Sequence, residues 1–242
     1  RDLFHPGYSY ANIQTTRGCP MKCEFCSVHS FNGQHYRERP VEHVLDELET
    51  IPHDKVYFVD DNIIGYSKKS KERAKKLFKG MIERGIKKDW YCQASLNVAD
   101  DEEVLGYMAG SGCKMILIGI ESENVHALEE ANKKLNLKMG IESYNEVFDR
   151  IHSYGISVLG ALIYGLDSDS EDDLFARTRF AIESRMDAMQ ATIVTPLPGT
   201  GLYKRLEREG RLVYTNYPDD WDHYHFMEVV HHPGKMRQEE LM

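Results

Sequence analysis

The sequence predicts an α/β fold in which six strand–helix units form an open, partial (βα)6 barrel. Short apolar runs alternate with helical patterns from Ala11 to Pro196, as repeated βα units do. Six strands in this stretch allow about 31 residues each, the length of one strand and its crossover helix. A closed eight-unit barrel usually needs about 250 residues. We therefore expect a partial barrel that binds ligands at the carboxyl ends of its strands.

The strands are predicted from apolar runs rich in β-branched and aromatic residues. Most are apolar over much of their length, as in Met115-Ile116-Leu117-Ile118, and such strands are typically covered on both faces. The six predicted strands are 11–16, 55–59, 90–96, 114–120, 157–164 and 188–195.

The helices between the strands are predicted from apolar residues three and four positions apart. Pro40 suits the first position of a helix, and Gly85 and Gly155 are placed to end two others. An acidic cluster at 169–173 favours the positive end of a helix that continues through Ile182. The apolar stripes are Val41, Val44, Leu45 and Leu48, then Ala74, Leu77, Phe78, Met81 and Ile82, then Tyr144, Val147, Phe148 and Ile151.

The sequence becomes less regular after Pro196. A short helix is predicted at 200–209, before a segment rich in Tyr, Trp and His that runs from Tyr214 to His232. We expect a core of residues 1–200 and an irregular C-terminal extension, 201–242, that covers the barrel. Because the chain begins at Arg1 rather than at a methionine, the sequence also allows a preceding domain that is absent from this chain.

Composition limits the classes of function. The formal net charge is -9, from 30 basic and 39 acidic residues, which gives no overall attraction to nucleic acid or anionic lipid. No run approaches the roughly 20 apolar residues of a membrane span, and no signal pattern opens the chain, so we predict a cytoplasmic protein. Three of the five cysteines lie between positions 19 and 26, which favours a metal or redox role over disulfides.

The strongest motif is Cys19-Pro-Met-Lys-Cys23-Glu-Phe-Cys26, in the loop after the first predicted strand. Three thiolates so close together can hold one metal centre. A four-iron cluster normally takes four cysteine ligands, so three would leave one iron open to an exogenous ligand. The alternative is a structural zinc site, because His29 would complete a Cys3His set. A zinc site does not explain why five further βα units follow.

This CxxxCxxC motif, with an aromatic residue before its last cysteine, resembles that of the radical S-adenosylmethionine (SAM) superfamily. The resemblance extends from about Ala11 to Tyr203 and implies a TIM-like partial barrel. It also implies a 4Fe-4S cluster on Cys19, Cys23 and Cys26, which would be the metal-binding and catalytic residues. The open iron would bind SAM, and one electron would split SAM into methionine and a 5′-deoxyadenosyl radical that abstracts hydrogen. Phe25 would pack near the adenine.

Polar residues that follow two predicted strands are candidate SAM ligands by the same resemblance. Asp60-Asp61-Asn62 stands where the family carries a Gly-Gly-Glu-like segment that binds the amino group of SAM. Carboxylates and amides accept hydrogen bonds from an ammonium, although these residues also suit a turn and helix cap. Glu121 matches the family's ribose-contacting position, with a helix cap as its alternative.

Two further strands carry candidate SAM contacts. Gln93 and Ser95 fall on one side of the third predicted strand, and alternation directs both toward the barrel interior; a buried hydrogen-bonded pair is the alternative. The segment from Gly160 to Gly165 resembles the family's GxIxG segment, in which small residues let the adenosine approach the backbone. Glycine in a strand otherwise indicates a bulge.

Thr195-Pro196-Leu197 resembles the family's adenine-side segment, and taken alone it is a proline-rich turn. Cys92 and Cys113 lie on or beside apolar strands, where unpaired cysteines are usually small core residues. The tail histidines match no metal motif. A basic run favours the solvated face of an amphipathic helix over a phosphate site; it consists of Lys68, Lys69, Lys71, Arg73, Lys75, Lys76 and Lys79.

Within the superfamily the motifs are most similar to those of the cobalamin-binding group, which often methylates unactivated carbons. This chain has no DxHxxG cobalamin motif, so cobalamin is expected only if a domain precedes it. We therefore predict a radical SAM enzyme that needs a reductant such as flavodoxin or ferredoxin. Cobalamin-linked methyl transfer is one reaction that these motifs allow. Nucleic acid is not an expected partner, and no pattern identifies the substrate. The alternatives are the zinc module and a cluster-bearing electron-transfer scaffold that does not cleave SAM.

Overall fold

The computed structural model describes residues 7–242, so the first six residues of the predicted core lie outside it. A six-stranded sheet has the order β1-β4-β5-β6-β7-β8, and β2 pairs with β3 in a separate two-stranded sheet. The strands are β1 Ala11–Ile13, β2 Thr16–Arg17, β3 Arg37–Glu38, β4 Lys55–Phe58, β5 Asp89–Ala94, β6 Cys113–Glu121, β7 Ser157–Tyr164 and β8 Ala188–Ile193.

Helices connect successive strands of the large sheet, as the alternating pattern predicted. The helices of residues 7–242, of which the last two follow β8, are α1 Val28–Phe31, α2 Val41–Thr50, α3 Lys68–Glu83, α4 Glu102–Gly110, α5 Val125–Glu130, α6 Lys134–Met139, α7 Tyr144–His152, α8 Glu171–Glu183, α9 Gly201–Arg208 and α10 Gln238–Leu241. The parallel register is set by pairs such as Val56 with Trp90 and Ala11 with Val56. The predicted α/β class and its six strands are confirmed.

The chain divides into two compact units. Among the described residues, the first comprises 7–19, 35–118 and 146–159, and the second comprises 20–34, 119–145 and 160–242. The predicted boundary between a core of 1–200 and an extension of 201–242 stays a prediction. None of the helices in residues 7–242 combines the length and apolarity that a membrane crossing needs.

The core of the first unit is built around Trp90. Its ring stacks on Phe78 of α3 and meets Phe58 of β4 edge to face, each at 5.1 Å between centroids. Its indole nitrogen donates to the carbonyl of Ser111 at 2.9 Å, so this large side chain is buried without an unsatisfied donor. Cys92 is buried on the same strand, as predicted for a core cysteine.

The second unit contains a buried ion pair that the sequence analysis did not predict. Arg177 of α8 lies 2.7 Å from Asp169, and both side chains are fully buried. The acidic cluster therefore has two roles. Asp173 completes a capping box with Ser170 at the start of α8, whereas Asp169 neutralises a buried guanidinium.

Two predicted features differ in detail from the structure. The first strand ends at Ile13 rather than at residue 16, because the backbone N–H groups of Thr15 and Thr16 donate to the side chain of Asp60 instead. Arg73, expected on a solvated face, is buried. Its guanidinium donates to the carbonyls of Thr15 and Arg39 at 3.1 and 3.0 Å, so it holds backbone rather than facing water.

Candidate functional site

The carboxyl end of β4 fixes the chain that leads to Cys19. Asp60 follows this strand and is fully buried. It accepts hydrogen bonds from the backbone and hydroxyl of Thr15 at 3.0 Å each, and from the backbone and hydroxyl of Thr16. Burial raises the pKa of the Asp60 carboxyl, while the hydrogen bonds from both threonines act in the opposite direction. Asp60 thus positions the segment before the cysteine motif.

Asp61 lies closer to the motif itself. It is half-buried, and its Oδ2 accepts a hydrogen bond from the backbone N–H of Gly18 at 3.2 Å. Gly18 precedes Cys19 and has a φ of 94°, a conformation that glycine adopts at little cost. Asp61 therefore holds the turn that presents Cys19.

A chain of hydrogen bonds links the end of β5 to Cys19. Asn62 donates from its side chain to the Ser95 hydroxyl at 3.0 Å, and the Tyr66 hydroxyl lies 3.1 Å from the same oxygen. The Cys19 thiol is 3.6 Å from the Tyr66 hydroxyl. Burial raises the pKa of Tyr66 to about 12, so the hydroxyl keeps its proton. The sequence analysis missed Tyr66, whose signal was its place in the loop after β4.

Gln93 on β5 and Ser95, the first residue after it, alternate in burial with their neighbours, as predicted. Gln93 and Ser95 are half-buried, whereas Cys92 and Ala94 between them are buried. The Gln93 amide donates to the Tyr57 hydroxyl at 3.2 Å. Burial raises the pKa of Tyr57. This face of the first unit therefore presents amide and hydroxyl groups.

In the second unit, the loop of Cys23 and Cys26 is tied down by its backbone. The Cys26 N–H donates to the Cys23 carbonyl at 3.1 Å, and the Glu24 N–H donates to the Ala131 carbonyl at 3.1 Å. The Leu202 N–H donates in turn to the Glu24 carbonyl at 2.9 Å. The first bond closes a turn within the loop, and the other two fix the loop to the end of α5 and the start of α9.

Phe25 is anchored by packing. It is half-buried against a cluster of buried apolar residues, namely Ala127, Ala131, Ile163, Leu166, Val194, Leu202 and Leu206. Phe25 lies between Cys23 and Cys26 in the sequence, so this packing limits the motion of both cysteines. The predicted contact of Phe25 with adenine stays a prediction.

The segment Thr195-Pro196-Leu197 is buried at its first two residues and half-buried at the third. The Thr195 hydroxyl donates to the Ile193 carbonyl at 3.1 Å. The hydroxyl of Thr200 donates to the Leu197 carbonyl at 2.6 Å and caps α9 by accepting from Tyr203 N–H. The turn is therefore rigid, and its role toward adenine stays a prediction.

Glu121, at the end of β6, is the most constrained candidate. Its side chain is 7% exposed and lies 2.5 Å from the Lys133 ammonium. Its φ is 63°, a left-handed conformation that costs a non-glycine residue about 1 kcal/mol or more. A Cβ on Gly119 would lie 2.4 Å from the Glu121 carboxylate, so a larger residue there would displace the pair from its present position. Lys133 was not predicted.

Gly160 has a neighbour that the sequence analysis did not anticipate. A Cβ at this position would lie 1.8 Å from the sulfur of Met186, so the glycine makes room for that side chain. Gly160 is buried. An approach of adenosine to Gly160 stays a prediction.

The donor set of the cysteine motif fits an iron–sulfur cluster. Cys19, Cys23 and Cys26 are half-buried thiols, which leaves them accessible to a metal centre, whereas Cys92 and Cys113 are buried. His29 Nδ1 is buried and has no hydrogen-bond partner among residues 7–242. The fit rests on the thiol chemistry of the motif and not on its arrangement: among residues 7–242, no three or more His, Cys, Asp or Glu side chains, the motif's cysteines included, are grouped so that they could hold a metal ion.

Two known proteins with similar sequences are methyltransferases. The chain is 31% identical over 236 residues to bacteriochlorophyllide d C-12(1)-methyltransferase of Chlorobaculum tepidum, covering 95% of this chain and 48% of that protein. It is 33% identical over 211 residues to hopanoid C-2 methylase of Rhodopseudomonas palustris, covering 86% of this chain and 40% of that protein. The chain thus spans less than half the length of either relative.

A similar fold occurs in the radical SAM methyltransferase TsrM of Kitasatospora setae, whose structure has cobalamin and a [4Fe-4S] cluster bound. The TM-score is 0.73, with 16% sequence identity, and the match covers 83% of this chain and 39% of that chain. This likeness confirms the predicted fold type.

The family itself is identified by residues 13–181, which match the radical SAM superfamily. Its members use a 4Fe-4S cluster and SAM, as predicted. They need a reductant and a substrate. The match and the methyltransferase relatives bear out the prediction of an enzyme and do not favour the zinc module or the electron-transfer scaffold. The chain belongs to the radical SAM superfamily.

Proposed function

We propose that this chain is the cluster- and SAM-binding part of a cytoplasmic radical SAM methyltransferase. Cys19, Cys23 and Cys26 would hold the 4Fe-4S cluster. The observation that carries the proposal is the way the motif is held: Asp61 fixes the backbone beside Cys19, and Phe25, between the other two cysteines in the sequence, is packed against a buried apolar cluster. When bound, the cluster supplies the electron that splits SAM.

The residues around the motif would divide the work of binding SAM. Asp61 would accept hydrogen bonds from the amino group, with Asp60 positioning the backbone beneath it. The oxygen of the predicted ligand Asn62 already accepts from the N–H groups of Ile64 and Gly65, so Asn62 would shape this loop instead. Glu121 would accept hydrogen bonds from the two ribose hydroxyls, and its ion pair with Lys133 would hold the carboxylate in place. The remaining candidates are Gln93, Ser95, Phe25, Gly160, Thr195, Pro196 and Leu197.

Methyl transfer is supported by the relatives, which are methyltransferases. Because the chain spans less than half of each, a cobalamin would be bound by a domain outside these 242 residues. The reductant would be a one-electron carrier protein such as flavodoxin or ferredoxin.

Anaerobic reconstitution with iron and sulfide, followed by metal analysis and a SAM-cleavage assay, tests the proposal. We expect about four irons per chain and release of 5′-deoxyadenosine with dithionite. Cys23→Ala should lose iron, whereas the matched control Cys113→Ala, a buried cysteine outside the motif, should keep it. One zinc per chain and no iron, or a full cluster that leaves SAM intact, would contradict the proposal.

A further inference from the structure

The first unit carries a basic groove of about 730 Å³ between the first turns of α2 and α3. Five cations line it against two carboxylates, Glu38 and Glu72. In a chain whose formal net charge is -9, such a local excess of positive charge stands out from its surroundings. We call these residues the basic groove; its cations are Arg39, Lys68, Lys69, Arg73 and Lys76.

The two sides of α3 differ in how their charges are used. On the side away from the groove, Lys75 lies 3.0 Å from Asp101 and 2.7 Å from Glu103, and Lys71 donates to the carbonyl of Asn97 at 2.9 Å. In contrast, the three exposed groove lysines form no ion pair with any residue from 7 to 242; they are Lys68, Lys69 and Lys76. Outside the groove, Lys75 and Lys79 are thus paired with carboxylates, whereas the exposed groove lysines are not.

The groove adjoins the chain that leads to the first cysteine. Arg39 donates to the Gln14 carbonyl at 2.8 Å, and Arg73 donates to the Thr15 carbonyl at 3.1 Å. At the start of α3, Tyr66 lies 3.6 Å from the thiol of Cys19 and is two residues before Lys68. A partner seated in the groove would thus contact the elements that support Cys19.

We propose that the basic groove docks an acidic one-electron carrier protein, which delivers the electron that the proposed function needs. One electron leaves the carrier and reduces the cluster; no proton or other group moves. Charge complementarity supports this occupant, because like charge over the rest of the chain confines an acidic protein to this patch and orients it there. A long polyanion such as RNA would extend beyond the groove onto the net-negative surface. The inference rests on the proposed function.

Charge reversal of the exposed groove lysines tests the proposal. The variant K68E/K69E/K76E is compared with K87E/K138E/K204E, which makes the same charge change at exposed lysines elsewhere. The probe is an acidic flavodoxin, measured in two ways: binding of its oxidised form by calorimetry, and the KM of its reduced form in 5′-deoxyadenosine release. At low salt, we expect the groove variant to bind oxidised flavodoxin about tenfold or more weakly and to have a KM for reduced flavodoxin about tenfold or more higher. Added salt should strongly weaken flavodoxin binding by the wild type and the control variant, but not by the groove variant.

Dithionite, a small reductant, separates docking from chemistry. The groove variant should cleave SAM with dithionite at the wild-type rate. Equal flavodoxin binding by the two variants would overturn the proposal, and so would an equal loss with dithionite. A groove variant that loses binding to RNA or inorganic pyrophosphate but not to flavodoxin would also overturn it. If the wild type fails to cleave SAM with dithionite, the proposed function fails, while calorimetry still reports on the groove.

Discussion

The two units satisfy their buried carboxylates in different ways. In the first unit, Asp60 accepts hydrogen bonds from neutral backbone and hydroxyl donors. In the second, Asp169 and Glu121 lie against the cations Arg177 and Lys133. Neutral donors hold a backbone in place, whereas a buried ion pair makes each partner dependent on the other's charge. The comparison indicates that the second unit is the more sensitive to charge removal.

The strongest way to break this comparison is Arg177→Met. It leaves Asp169 buried without its counter-ion, and removing one partner of a buried pair costs about 3–5 kcal/mol. We expect that loss in the free energy of unfolding, measured by urea denaturation. The control is Arg179→Met, an exposed residue of the same helix, which should change it by less than about 0.5 kcal/mol. Equal stability of the two variants would show that the pair contributes nothing.

A pH titration sharpens the comparison within the second unit. Burial lowers the pKa of His231 from 6.5 to about 4, and the side chain is 1% exposed. The unfolded chain therefore binds a proton at a higher pH than the folded chain does. Stability is fully present above pH 6.5 and is lost as pH falls toward 4, by up to about 3 kcal/mol.

The measurement is the unfolding free energy between pH 7 and pH 4, for His231→Gln and for His232→Gln. His232 is exposed beside it and serves as the control. The loss of stability on acidification should shrink in the first variant and persist in the second. A profile for His231→Gln that parallels the wild type would assign the acid sensitivity to other groups.

Asp60→Asn breaks the comparison from the other side. The substitution keeps the shape of the side chain but replaces one carboxylate oxygen by an NH2 group. That group cannot accept from the N–H and O–H donors of Thr15 and Thr16. Leaving buried groups unsatisfied costs about 1–3 kcal/mol, so we expect a lower unfolding free energy and a lower iron content after reconstitution. Asp54→Asn, at an exposed position just before β4, is the control. A wild-type iron content in Asp60→Asn would deny it a role in positioning the motif.

The fold was predictable from the sequence because its strands are apolar runs with regular spacing. The βα repeat gave the alternation of strands and crossover helices, and three thiols within eight residues gave the cysteine motif. The strand end at Ile13 was not predictable, because it depends on Asp60, 47 residues away in the chain. In the sequence, Lys133 and Arg177 look like ordinary helix-end and helix residues. The turn after β6 brings Lys133 to Glu121, and α8 brings Arg177 to Asp169. No local sequence pattern specifies either contact.

The smallest predicted effect concerns Glu121 and Lys133 and separates two roles for the lysine. If Lys133 serves to hold the carboxylate toward a ribose diol, Lys133→Met should weaken binding of SAM and of 5′-deoxyadenosine alike, by about tenfold, as should Glu121→Gln. 5′-Deoxyadenosine has the ribose diol but lacks the amino acid part of SAM. A loss of affinity for SAM alone would therefore indicate that Lys133 binds the carboxylate of SAM instead. Lys134→Met, at the exposed neighbour, should leave both affinities unchanged. Calorimetry on the reconstituted protein measures both ligands, and unchanged affinity for both in Glu121→Gln would remove this carboxylate from the SAM site.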